Sequence, residues 1–99
     1  MPMVSLLPIK GFVMLQHIKL KLSVLTATVG ATNWPLKESV QADIDSLNAA
    51  LVTPVTVGEL VAVVNRLENI SQNAFCDGQD DVRGYVREII HAISTWRVG

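Results

Sequence analysis

The segment at residues 55–73, VTVGELVAVVNRLENISQN, constrains this chain more than any other. Thr56 stands three residues before Glu59, the spacing of a capping box: the hydroxyl accepts a first-turn N–H and the carboxylate reaches back to the cap. Val55 and Leu60 stand where a hydrophobic staple would place them. On a helix, Val57, Leu60, Val61, Val63, Val64, Leu67 and Ile70 fill one half, while Gly58, Asn65, Arg66, Asn69, Gln72 and Asn73 fill the other. A helix this two-sided must lay its apolar half on a neighbour, because packing rather than propensity supplies most of a helix's stability.

Two other segments offer that neighbour. Leu36, Val40, Ile44, Leu47 and Leu51 line a narrow stripe over residues 35–51. Pro35 is tolerated in its first turn, with Asn33 or Trp34 as cap, and Val52-Thr53-Pro54 ends it. A stripe this narrow is a seam for one or two helices. Beyond a turn at 74–79, Val82, Val86, Ile89, Ile93 and Trp96 recur at helical spacing over 80–97, with Tyr85 and Ile90 beside them. Acids at the start of that segment and Arg97 at its end suit the helix dipole. Gly84 inside it costs about 1 kcal/mol relative to Ala, which close approach of another backbone would justify.

Residues 14–29 fit two templates. A helix collects Leu15, Ile18, Leu22, Leu25 and Val29 on one face and leaves Leu20 and Val24 off it; a strand collects Ile18, Leu20, Leu22 and Val24. The length favours the helix, with Gly30 closing it in the position after the last helical residue. Residues 1–13 are apolar and punctuated by Pro2, Pro8 and Gly11, which predicts an extended arm. The expected fold is therefore all-α: one domain over 1–99, with an apolar arm at 1–13 and an antiparallel bundle of about four helices near 14–29, 35–51, 56–73 and 80–97. The alternative is α+β, with an N-terminal strand or hairpin over residues 3–24 packed on three helices.

Composition sharpens the functional expectation. Apolar residues make up 49% of the 99-residue chain and charged residues 17%, against a norm of about 25% charged. A domain this small has much surface for its volume, so the surplus points to a partner surface or to self-association. No apolar run is long enough for a membrane span, since Lys10, Gln16, His17, Lys19 and Lys21 interrupt the N-terminal third. From Met14 a signal peptide is a minor alternative; its apolar run is short and carries Ser23, Thr26 and Thr28. Cys76 is the single cysteine, which fits a reducing, cytoplasmic setting. Formal charge is +4 over residues 1–37, −7 over 38–81 and +2 over 82–99. The net of −1 excludes a simple strongly basic nucleic-acid binder.

Catalytic and metal motifs are weak. Asp77 and Glu88 fall at positions 1 and 12 of a calcium loop, but Gln79 stands at position 3 and Val82 at the position that requires glycine. His17, His91 and Cys76 form no recognisable triad or metal set, and no cofactor motif occurs. Arg83, Arg87 and His91 recur one turn apart, with Ser94 on the same side, a stripe for phosphate or an acidic partner or simply a solvated face. Trp34 and Trp96 serve equally as core filler or as interface anchors. The expectation is a non-enzymatic helical interaction or assembly module (adaptor, structural subunit or small inhibitor). It would act as a homo-oligomer, a dimer foremost, or with another protein, through Trp34, Trp96, Tyr85, Arg83 and Arg87. The alternative is a small nucleic-acid-binding regulator using Arg83 and Arg87, with Lys19 and Lys21 as further candidates.

Overall fold

The apolar seams close into four helices in the computed structural model, which describes residues 2–51 and 57–98 and the side chains of 13–51 and 57–96. Helix α1 spans Pro2–Gly30, α2 Lys37–Ala50, α3 Val57–Cys76 and α4 Asp80–Val98. α1 packs on α2 and α4, α3 packs on α2 and α4, and the diagonal pairs do not approach each other among the described residues. This cycle is a four-helix bundle with successive helices antiparallel, as short connections require. The molecule is elongated, 51 × 19 × 18 Å.

The core is built from the predicted stripes. α1 contributes Leu15, Ile18, Leu22, Leu25 and Val29, α2 Val40, Ile44 and Leu47 with Leu51 just beyond it, α3 Leu60, Val63, Leu67 and Ile70, and α4 Val82, Val86, Ile89, Ile90 and Ile93. Each such side chain contributes about 1.5–3 kcal/mol on burial, far more than any surface ion pair. The strand template for residues 3–24 is therefore overturned. A strand would bury Leu20 and Val24, whereas these are 67% and 42% exposed and Leu25 and Val29 are fully covered.

Several expected boundaries move. The extended arm at 1–13 does not form: α1 is already helical at Pro2 and runs unbroken to Gly30. Pro2 lies in the first turn, where its missing N–H has no partner to lose, and Pro8 removes a single bond to the carbonyl four residues back. α2 begins at Lys37 rather than at 35, and its N-cap, Leu36, makes no side-chain cap bond. Neither Asn33 nor Trp34 caps it, because the Lys37 N–H donates to the Trp34 carbonyl at 3.0 Å and closes a turn first. Leu36 is left 38% exposed, off the seam. Val57 and Val61, at the edge of the apolar half of α3, are exposed as well. Thr56, Val55 and the segment Val52-Thr53-Pro54 lie outside the described residues.

The helix ends are satisfied by specific partners. Gly30 is the last residue of α1 rather than a left-handed cap, since Gly78 is the described glycine with positive φ. At that end Thr32 N–H donates to the Val29 carbonyl at 3.1 Å, and Lys37 Nζ donates to the carbonyls of Gly30 and Thr32. A Cβ on Gly30 would lie 3.3 Å from Gln41 Nε2, the far end of a flexible side chain on α2, which would have to move slightly to admit it. α3 runs three residues past its expected end, to Cys76, because Ala74 is a core residue. It stops in a Schellman motif: Gln79 N–H donates to the Ala74 carbonyl at 2.8 Å, Gly78 N–H donates to that of Phe75 at 3.3 Å, and Gly78 has φ +72°.

Candidate functional site

Helix α1 is apolar on two sides. Its inner side is the core face; its outer side carries Val13, Leu20 and Val24, 63%, 67% and 42% exposed. Residues spaced by seven and four along a helix fall on one line, so these three make a stripe opposite the seam. In a ring of four helices α1 has neighbours on two flanks and, among the described residues, none on its outer side.

One border of this stripe is a trough between α1 and α4. It is open and has a volume of about 590 Å³. His17 and Lys21 of α1 face Arg87, Glu88 and His91 of α4 across it, with Gly84 also in its wall. Met14 and Ala92, both partly buried against the core, make its apolar lining. Lys21 and Glu88 also border a second hollow, of about 90 Å³, with Val24 and Tyr85, so their ion pair is shared by the two hollows. Lys21 Nζ meets Glu88 Oε1 at 3.3 Å, with both side chains partly exposed. An exposed pair like this contributes at most about 1 kcal/mol and does not hold the helices together.

Gly84 departs from expectation. Apart from its own helix backbone, a Cβ built on it meets no described residue within 4 Å, so none of them uses the space it leaves. Its helical cost of about 1 kcal/mol is not offset by internal packing.

The sequence-predicted residues are dispersed. Trp34 is buried within the α1–α2 connection, and its Nε1 donates to Asp77 Oδ2 at 2.6 Å. It is core and latch, not an exposed anchor. Trp96 is partly buried against the core. Tyr85 is 39% exposed and stands beside the trough. Arg83 stacks on the Phe75 ring, its guanidinium carbon 4.8 Å from the centroid, and Arg87 Nη1 lies 3.3 Å from Glu68 Oε2 of α3. The calcium-loop spacing has no loop beneath it, since α4 begins at Asp80 and Glu88 is in its interior. Exposed Cys76 accepts from Gln72 Nε2 at 3.6 Å.

The structure unites residues that no local motif linked. Lys21 and Glu88 are 67 positions apart, and His17 faces His91 through the antiparallel register of α1 and α4. The one local signal was the displacement of Leu20 and Val24 from the helical seam. Among the described residues no helix is long and apolar enough to cross a membrane. Compared with known proteins, the chain matches no family model, no curated protein and no solved structure.

Proposed function

We propose that this protein is a non-enzymatic helical interaction or assembly module that presents apolar surface to a copy of itself or to another protein. The observation that carries the reading is the outer stripe of α1, where Leu20 is 67% exposed while Ile18 and Leu22, on the opposite side, are fully buried in the core. A helix apolar on both sides has the pattern of one that is covered on both sides. Tyr85 widens the apolar area across the trough, and aromatic residues are enriched at interfaces. Arg83 and Arg87, on which nucleic-acid binding would rest, face Phe75 and Glu68 of the same chain, which favours the protein partner. The exposed thiol of the single Cys76 accords with a reducing, cytoplasmic setting.

Light scattering on the purified protein, together with cross-linking in native lysate, tests this. Wild type should exceed monomer mass or acquire a cross-linked protein, and the double variant L20D/V24D should lose that species with its helical circular dichroism intact. A strict monomer whose cross-links the double variant leaves unchanged would overturn the reading.

A further inference from the structure

Resting on that reading, we propose that the partner is a second copy of this chain, docked outer face to outer face along α1, with the two helices parallel and related by a two-fold axis. The outer face of α1 is a second helical seam. Val13, Gln16, Leu20, Ser23 and Ala27 are all exposed and recur at the alternating spacing of three and four that marks a line for one neighbouring helix. Leu6 and Ile9 continue the same register toward the start of the helix. The line holds for about three heptads, the length at which such a pattern argues for a helix pair. The opposite line, Leu15, Ile18, Leu22, Leu25 and Val29, is already filled by the core.

Charge is cleared from this face. Apart from the imidazole of His17, the exposed residues of α1 from 13 to 30 include no ionisable side chain. The exposed faces of the other helices carry Glu38 and Asp45 on α2, Arg66 and Glu68 on α3, and Arg87 and Glu88 on α4. Lys19 and Lys21 stand at the two edges of the α1 face and reach to their own bundle. Lys19 Nζ donates to the Asn48 carbonyl at 3.2 Å, and Lys21 Nζ meets Glu88 Oε1 at 3.3 Å. A charged partner therefore finds no counter-ion here, whereas a two-fold copy meets the same uncharged patch without repulsion. In the parallel arrangement Leu20 of each copy meets its counterpart. The two Gln16 amides stand side by side, each with a donor and an acceptor for the other. Lipid hydrocarbon would offer Gln16 and Ser23 no hydrogen-bond partner.

Length decides the direction. α1 has 29 residues, against 14 in α2 and 19 in α4, the two helices it packs on. Lys21 pairs with Glu88, so in the antiparallel register Val98, ten residues on from Glu88, is level with Gly11, ten residues back from Lys21. Lys19 beside Asn48 sets Ala50, the end of α2, level with His17. Residues 2–10, about 13 Å of helix, thus run past the ends of both neighbours. A short helical stretch without a neighbour is marginal in water. A parallel copy lays the two stretches side by side, whereas an antiparallel copy centred on Leu20 would leave both uncovered.

Light scattering of the full chain over a concentration series should reach twice the chain mass of 10.8 kDa. Leu20→Asp and Leu20→Lys should each be monomeric with helical circular dichroism retained. Mixing the two should restore the dimer, because position 20 of one copy faces position 20 of the other. Cross-linking reads the direction. In a Cys76→Ser background, Val13→Cys and Ala27→Cys should each link to itself through a short bifunctional thiol reagent. An antiparallel pair centred on Leu20 would set like positions about 21 Å apart and link only the mixture of the two variants. Wild type, whose single Cys76 lies on α3, should stay unlinked. A monomer at every concentration, a dimer that Leu20→Asp leaves intact, no restoration on mixing, or linkage only in the mixture would overturn the proposal. So would a monomer that sediments with vesicles of phosphatidylcholine and phosphatidylserine, which would assign the face to a membrane. If wild type is monomeric while L20D/V24D still removes a cross-linked protein in lysate, the interaction reading stands and the second copy is the wrong occupant.

Discussion

The indole Nε1 of Trp34 donates to Asp77 Oδ2 at 2.6 Å, a bond that ties the α1–α2 connection to the α3–α4 turn. The indole is buried and the carboxylate sits at the exposed end of α3, so the bond joins the core to the surface at one end of the bundle. Replacing Asp77 by Ala leaves a buried N–H without its partner and should cost about 1–3 kcal/mol in urea denaturation. The loss should shrink markedly in a Trp34→Phe background, where no N–H remains to be orphaned. An undiminished loss there would show that Asp77 stabilises the turn by another route.

Gly78 and Gly84 should respond in opposite directions to the same substitution. Gly78 has φ +72°, and an alanine there should destabilise the fold by about 1–2 kcal/mol, the cost of left-handed backbone for a residue with a Cβ. Gly84 is helical with empty space where its Cβ would stand, so alanine should stabilise by about 1 kcal/mol. Chemical denaturation of the two variants is sufficient. A destabilised Gly84→Ala would mean that the wall of the trough is closer packed than described.

On α1, neighbouring leucines should behave very differently. Leu22 is fully buried, and Leu22→Ala should cost about 2–5 kcal/mol through lost burial and the cavity left behind. Leu20, 67% exposed, should tolerate alanine or aspartate with a change within about 0.5 kcal/mol. A large loss at Leu20, measured on dilute protein, would indicate that its outer face is covered within the folded monomer.

Three surface ion pairs between described residues should matter little to stability. Lys21–Glu88, Arg66–Asp43 and Arg87–Glu68 have nitrogen–oxygen distances of 3.3, 3.4 and 3.3 Å, and most of their side chains are about half exposed. Neutralising any one pair should change the unfolding free energy by less than about 1 kcal/mol, with the remaining effect weakened by salt. A loss of several kcal/mol on substituting Glu68 would contradict the solvent-screened geometry.

Local pattern determined much of this protein. The periodic placement of Ile18, Leu22 and Leu25, of Val40, Ile44 and Leu47, and of Ile89 and Ile93 identified four core-facing stripes, because a helix repeats every three to four residues whatever it packs against. The same spacing marked Leu20 and Val24 as misfits on α1. What covers a residue is a different matter, and it rests on which elements become neighbours. Only the closed ring of four helices leaves the outer side of α1 bare, turns Trp34 inward onto Asp77, and brings His17 opposite His91. Those relationships depend on the alignment of helices distant in sequence, which is set by the interlocking of whole side-chain surfaces, and no short window of residues encodes it.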